Sequence, residues 1–201
     1  MTGQPNGGDD RLAAAPGRPS GLGPEWVEGA DGRLFRSAAR VILVDADGRV
    51  LLVRGHDVDQ PSRSWWFTPG GGIGPDEDPR AAGAREVAEE TGFVLEETDL
   101  LGPVFRRRAV FDFYRAHCRQ DEVFYLARVP GRGQEPAPTA TSGWTVVEND
   151  VLDEVRWWDL DELTDVGIEV FPHGLAALVR GLLDGWDGVV VQLDDQGTIG
   201  A

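Results

Sequence analysis

Residues 68–93 of the chain read TPGGGIGPDEDPRAAGAREVAEETGF, and this stretch decides the local fold. Asp78 is a preferred helix N-cap residue, and Pro79 suits the first helical turn because its missing N–H has no intrahelical partner there. Gly92 can adopt the left-handed conformation that commonly ends a helix. The stretch therefore predicts a helix of about three and a half turns, entered from a glycine-rich loop at residues 69–72.

The acidic residues of this helix share one side of it. On a helical wheel at about 100° per residue, three apolar residues fall together and mark the side expected to face the core: Ala84, Val87 and Ala88. Three carboxylates fall almost opposite that side: Glu86, Glu89 and Glu90. Like charges at this spacing destabilise a helix by roughly a few tenths of a kcal/mol per pair, so the cluster is unfavourable unless a cation binds it.

Two interpretations of the acidic cluster stay open. Glu residues on an exposed helix face are commonly just solvated. The glycine-rich loop favours a metal site instead, because its carbonyl and amide groups lie at the end of the helix where they can contact metal and phosphate. Oxygen ligands without His or Cys favour Mg²⁺ or Mn²⁺ over zinc. Arg85 either orients one of the carboxylates or forms a plain helix salt bridge.

Composition excludes several kinds of chemistry. The chain has 201 residues and a formal net charge of −16. Every basic residue is an arginine, which excludes a Schiff-base lysine and a phosphate-binding lysine of the Walker type. Because the charge repels nucleic-acid backbones and anionic membranes, we expect neither duplex nucleic acid nor a membrane as a partner. The single cysteine, Cys118, and the absence of a signal-peptide pattern predict a cytoplasmic location.

Sequence patterns divide the chain into three parts. Residues 1–34 are rich in small residues and proline, and are expected to form a flexible arm on which Trp26 docks against the domain. Residues 35–185 form one domain, and residues 186–201 form a tail that is weakly structured or adds an edge strand. The elements expected in the domain are a hairpin over residues 40–54, strands over 104–117, 122–129 and 154–158, a short helix from Asp159, and a helix over 172–183.

The spacing of the glycine and glutamate residues resembles the Nudix box. Gly71 is followed after five residues by Glu77, and after seven more by REVAEETGF at residues 85–93. The likeness extends over about residues 36–183 and implies an α/β fold, an α/β/α sandwich with a mixed, partly antiparallel central sheet. It also implies a metal-dependent hydrolase that cleaves a pyrophosphate bond in a nucleoside diphosphate linked to another moiety. A non-catalytic nucleotide sensor on the same fold is the alternative.

The resemblance implies roles for individual residues. The groups implied to bind Mg²⁺ or Mn²⁺ are the carboxylates of Glu86 and Glu90, that of Glu89 directly or through water, and the Gly70 carbonyl. Arg85, with Glu77, would support the loop and the helix. The family places its catalytic base either on this helix, here Glu89, or on a later loop. That loop offers Glu148, Asp150 and Glu154, and of these we favour Glu148, with a merely solvated carboxylate as the equal alternative.

Further residues are candidates for substrate contacts. Glu122 is a second candidate base. Five arginines lie in or just after the strand predicted at residues 104–117: Arg106, Arg107, Arg108, Arg115 and Arg119. Because side chains alternate along a strand, we expect at most one of them to contact a substrate phosphate. One indole of each adjacent pair, Trp65–Trp66 and Trp157–Trp158, is expected to face the core. The substrate, a nucleotide or a nucleoside-diphosphate derivative, is otherwise open, and a homodimer is compatible with the family.

Overall fold

The computed structural model describes residues 25–57, 60–113, 116–130, 136 and 152–194. Its helices are α1 (Pro79–Thr91), α2 (Leu160–Asp165) and α3 (Leu175–Leu183), with a 3₁₀ turn at Glu97–Asp99. Its strands are β1 (Val27–Glu28), β2 (Leu34–Val44), β3 (Val50–His56), β4 (Ser64–Phe67), β5 (Gly70–Gly72), β6 (Leu101–Phe113), β7 (Ala116–Arg128), β8 (Leu152–Trp158), β9 (Glu169–Phe171) and β10 (Val191–Gln192).

The described strands form one mixed sheet in the order β10-β6-β7-β2-β3-β4-β9. Strands β1 and β5 also pair with β2, and β8 pairs with β3. The pairs β2–β7, β4–β9 and β6–β10 are parallel, and the other pairs are antiparallel. The mixed, partly antiparallel sheet predicted from the sequence is confirmed.

Helices cover both faces of this sheet because β2 is apolar on both faces. Ile42 and Val44 contribute to a core beneath α2 and α3. Val41 and Leu43 point the opposite way, as neighbours in a strand do, and join a second core beneath α1. The α/β/α arrangement of the prediction is therefore confirmed.

Helix α1 begins and ends where its sequence signals place it. The Asp78 carboxylate accepts a hydrogen bond from the Arg80 N–H at 2.8 Å, and Pro79 occupies the first turn. Gly92 adopts a left-handed conformation with φ of 76°, and its N–H donates to the Ala88 carbonyl. Both predicted caps are confirmed.

The predicted orientation of α1 is right for Val87, which is fully buried in the core, and wrong for the acidic side. Glu86 and Glu90 are each only 4 % exposed, whereas Ala84 and Ala88 are half-buried. The helix approaches the sheet through Gly83, where an added Cβ would lie 3.1 Å from both Leu100 and Val41 side-chain atoms. A wheel scored by hydrophobicity gives such small contact residues little weight, so it rotates the buried side away from its true position.

The polar start of β7 also differs from the prediction. Residues 118–121 were expected to interrupt two strands, but β6 ends at Phe113 and β7 begins at Ala116. Gln120 and Glu122 continue the strand because their side chains are buried and hydrogen-bonded to each other. A polar stretch can thus lie within a strand when its inward side chains have partners.

Both ends of the described chain pack on the sheet. Trp26 is 3 % exposed and packs with Leu34 and Cys118, so its predicted docking is confirmed. Residues 25–34, predicted to belong to the arm, include β1, which pairs with β2. In the tail, β10 pairs with β6 at the sheet edge. Within the described residues no helix has the length and apolar character needed to cross a membrane.

Candidate active site

The glycine loop and α1 meet at two of the predicted metal ligands. The N–H of Gly70 donates to a Glu90 carboxylate oxygen at 2.9 Å. A Cβ added to Gly71 would lie 2.6 Å from the carboxyl carbon and both carboxylate oxygens of Glu86. Glycine at position 71 is therefore required for the Glu86 carboxylate to lie against the backbone of β5.

Glu86 and Glu90 are buried, which is costly for ionised carboxylates. An ionised group taken out of water is costly unless a cation or several hydrogen bonds compensate it. Glu86 and Glu90 lie below the surface on the side of α1 that faces β5, and Glu89 beside them is half-buried. The predicted residues on α1 and in the loop are thus brought together, but as a site turned inward rather than an acidic surface.

Arg85 is the cation that faces this cluster. Its guanidinium donates to Glu77 through Nε at 2.9 Å and Nη2 at 3.2 Å, and to Glu86 through Nη1 at 2.8 Å. It also donates to the Gly72 carbonyl at 3.1 Å and reaches Glu89 at 3.3 Å. The hydrogen bonds with Glu77 raise the pKa of Arg85 and lower that of Glu77. Arg85 therefore ties the loop, Glu77 and the acidic residues of α1 together.

The carboxylates of α1 and the carbonyl of Gly70 are oxygen donors, which suit a hard divalent cation. Carboxylate and carbonyl oxygens are the ligands that Mg²⁺ and Mn²⁺ prefer. Among the described residues, no three His, Cys, Asp or Glu side chains are grouped so that they could hold a metal ion. The groups that would hold such a cation are the carboxylates of Glu86, Glu89 and Glu90 and the Gly70 carbonyl, and the cation would supply charge neutralisation there.

A second charged group lies on the opposite face of β2 and was not predicted as a unit. We call it the arginine strip, and it consists of Arg36, Arg40, Arg107, Gln120 and Glu122. Arg40 donates to Glu122 at 3.2 Å and to the Gly70 carbonyl at 2.5 Å, so it links the strip to the glycine loop. Arg36 and Arg40 lie four residues apart and share one face of β2, but their local sequence gives no sign of their buried partners on β7.

Glu122 is the central anion of the arginine strip. It is 3 % exposed and accepts hydrogen bonds from Arg40, from Arg107 at 2.5 Å and from Gln120 at 2.7 Å. Burial alone would raise the pKa of Glu122, but Arg107 and Arg40 outweigh burial and lower it. A carboxylate held ionised by three donors is a poor proton acceptor, which weakens Glu122 as the candidate base.

Of the candidate bases predicted on the later loop, the structure describes only one. Glu148, together with Asp150, lies outside the described residues. Glu154 is described, is exposed on β8 and lies 3.4 Å from an Arg54 nitrogen. Glu148 therefore stays a prediction.

The arginine and tryptophan predictions follow the alternation of the strands. Arg107 is buried between the exposed Arg106 and Arg108, while Arg115 lies outside the described residues. Trp66 and Trp158 face the core and contact each other edge to face at 5.1 Å between ring centroids. Their neighbours Trp65 and Trp157 are half-buried, and Trp157 packs on Phe93.

Comparison with known proteins agrees with this geometry. The family model of the NUDIX domain matches residues 34–177, which include the glycine loop, α1 and the arginine strip. The chain belongs to the Nudix family. The matched residues begin at β2 and end within α3.

Relatives of this Nudix protein include two curated enzymes. An RNA pyrophosphohydrolase of Dinoroseobacter shibae is 39 % identical over 67 residues, which cover 33 % of this chain and 40 % of that protein. An RNA pyrophosphohydrolase of Acidiphilium cryptum is 29 % identical over 149 residues, covering 71 % of this chain and 86 % of that protein. This chain thus spans about two fifths of the length of the first relative.

Among solved structures, the MutT protein of Methanosarcina mazei is similar, with a TM-score of 0.48 and 18 % identity. The match covers 73 % of this chain and 91 % of that one.

Proposed function

We propose that this protein is a divalent-metal-dependent pyrophosphohydrolase that cleaves a pyrophosphate bond in a nucleotide or nucleoside-diphosphate derivative. One observation carries the proposal: the Glu86 and Glu90 carboxylates are buried against a strand of three glycines. Burial there concentrates negative charge where a cation can be held, and the glycines let the Glu86 carboxylate lie directly against the backbone.

The proposed ligands of Mg²⁺ or Mn²⁺ are Glu86, Glu90, Glu89 and the Gly70 carbonyl. That carbonyl accepts a hydrogen bond from Arg40, but a carbonyl oxygen has two lone pairs and keeps capacity for a second partner. When bound, the metal ion neutralises the charge of the pyrophosphate and activates the attacking water.

The residues of the chain supply position and proton acceptance. Arg85 holds Glu77 and the Gly72 carbonyl and thereby fixes the entry of the loop into α1. Glu148 is our proposed proton acceptor, with Glu89 as the acceptor on α1. Phosphoryl transfer is catalysed largely by positioning and by charge stabilisation. A residue that positions the loop and a residue that accepts the proton are therefore the main groups that the protein needs to supply.

The charge of the protein supports a small or single-stranded substrate. A net charge of −16 disfavours a long anion that lies along the surface. RNA pyrophosphohydrolases are named among the relatives, so a 5′-polyphosphate end belongs with free nucleotides in the proposed class. A cytoplasmic location, supported by the single free cysteine, and a homodimer complete the proposal.

A nucleotide panel tests this function directly. Nucleoside triphosphates, sugar nucleotides, dinucleoside polyphosphates and triphosphorylated RNA are incubated with Mg²⁺ or Mn²⁺, and products are identified by mass. We expect Glu90→Gln to lose at least 10²-fold in turnover, the size expected for loss of a metal-held transition-state contact. Glu97→Gln, at an exposed position in the 3₁₀ turn, serves as the matched control. Full activity of Glu90→Gln would remove the assignment, and nucleotide binding without any hydrolysis would identify a sensor instead.

A further inference from the structure

The segment that precedes β1 places a carboxylate against the glycine strand. Trp26 is seated between Leu34, Cys118 and Phe111, with 6.4 Å between the Trp26 and Phe111 ring centroids. Its neighbour Glu25 lies directly over Gly72, since a Cβ added there would come within 2.5 Å of the Glu25 Cγ. The anchored indole thus fixes where the Glu25 carboxylate lies.

Glu25 contacts the outermost member of the arginine strip. The Arg36 guanidinium lies 4.5 Å above the Trp26 ring and donates through Nε to Gln120. Its Nη1 donates to a Glu25 oxygen at 3.3 Å. The buried side chains of Trp26 and Gln120 hold Arg36 in place, whereas Glu25 keeps 22 % of its side chain exposed.

The charges around Arg36 favour an anion. The arginine strip and Glu25 together contain three arginines and two carboxylates. This local excess of positive charge lies in a protein whose net charge is strongly negative. Burial and the nearby Arg40 lower the pKa of Arg36, and Glu25, Glu86 and Glu122 offset part of that effect. Two neighbouring guanidinium groups that repel each other are stabilised by any anion between or beside them.

The position is close to the candidate metal ligands. Gly71 and Gly72 are consecutive in β5, so their α-carbons face opposite sides of the strand. Glu86 lies against the first and Glu25 against the second. The metal ligands and Arg36 thus lie on opposite faces of one glycine strand. An elongated anion that passes around the edge of this strand can reach both once it displaces the Glu25 side chain.

We propose that Arg36 binds a phosphate group of the polyphosphate substrate and that Glu25 is an internal competitor, which occupies Arg36 when no substrate is bound. The identity of the anion rests on the function proposed above. Substrate binding exchanges the Glu25 carboxylate for a phosphate of higher charge, while Gln120 and Trp26 keep the guanidinium in place. Glu25 therefore sets the affinity threshold for the substrate without touching the reacting atoms.

Calorimetric titration with inorganic tripolyphosphate and Mg²⁺ tests this exchange on the full chain. Glu25→Gln removes the competing charge and is expected to bind tripolyphosphate about threefold more tightly. Arg36→Gln is expected to bind at least roughly tenfold more weakly. Glu28→Gln, a charge removal at an exposed position of the same segment, is expected to bind like the wild type.

Arg36→Lys is a second test in case Arg36→Gln fails to fold. It keeps the positive charge but loses the planar guanidinium, so it should also bind tripolyphosphate more weakly than the wild type does. Unchanged or weaker binding by Glu25→Gln overturns the competitor role. Wild-type binding by Arg36→Gln overturns the phosphate contact, as does a failure of both the wild type and Glu25→Gln to bind. Because the titration needs no turnover, the expected shifts in a protein that hydrolyses nothing on the panel would defeat the proposed function alone. Hydrolysis with unshifted binding would defeat the present inference alone.

Discussion

Replacing Gly71 by alanine tests the contact on which the candidate site depends. The added Cβ would meet the Glu86 carboxylate at 2.6 Å, whereas ordinary contacts begin at about 3.4 Å, so one of the two groups must move by about 0.8 Å. Since a misplacement of about 1 Å can cost roughly 10²-fold in rate, we expect kcat/KM to fall by about that factor. The group that must give way is the end of a flexible side chain, so the loss of stability should be small, about 1 kcal/mol.

Two measurements check this expectation. Thermal unfolding should show Tm lowered by roughly 2–4 °C for each kcal/mol in a chain of this length, and initial rates on the best nucleotide of the panel give kcat/KM. Gly181→Ala in α3 is the matched control, because nothing lies within 4 Å of its added Cβ. We expect that control to keep its activity and to lose no stability, since alanine is favoured over glycine inside a helix by up to about 1 kcal/mol. Wild-type kcat/KM in Gly71→Ala would show that Glu86 need not lie against the strand.

Three further outcomes follow from the packing and charges of α1. Gly83→Val should destabilise the protein by about 2–3 kcal/mol in denaturant titration, because the side-chain contacts of the added Cβ are already at 3.1 Å; an unchanged midpoint would contradict the close approach of helix and sheet. Asp78→Ala should cost about 1 kcal/mol through loss of the N-cap hydrogen bond, measured in the same titration, with Asp78→Asn recovering most of it. The hydrogen bond with Arg85 lowers the pKa of Glu77 below its ordinary value of 4.5, so the ion pair stabilises the fold above that pH. The difference in unfolding free energy between wild type and Glu77→Gln should therefore shrink as the pH falls through the lowered folded-state pKa. A difference that stays constant down to the acid transition would rule out this coupling.

The ends of α1 were predictable and the burial of its acidic side was not. Caps depend on backbone geometry close to one residue, so Asp78 and Gly92 could be read from the sequence alone. The buried side depends on which residues let the helix approach β2, and Gly83 does so through its small size rather than its hydrophobicity. The sequence therefore identified the acidic residues of α1, but the exposure predicted for Glu86 and Glu90 was wrong.

The arginine strip shows a second limit of reasoning from sequence. A charged side chain in a strand is most often solvated, so Arg36 and Arg40 carry no local sign of burial. Their partners Gln120 and Glu122 lie more than eighty residues away and reach them through the parallel pairing of β2 with β7. Such a network becomes visible only when the register of distant strands is known.

The three-glycine strand has a consequence for local dynamics. Glycine loses more backbone entropy on ordering than any other residue, and β5 has no side chain with which to offset that loss. Its shape is imposed from outside, by the Arg40, Arg85 and Glu90 hydrogen bonds. The amides of residues 70–72 should therefore exchange with solvent deuterium through a low-energy local opening, earlier than the neighbouring amides of β2, and become protected when a cation and a polyphosphate bind.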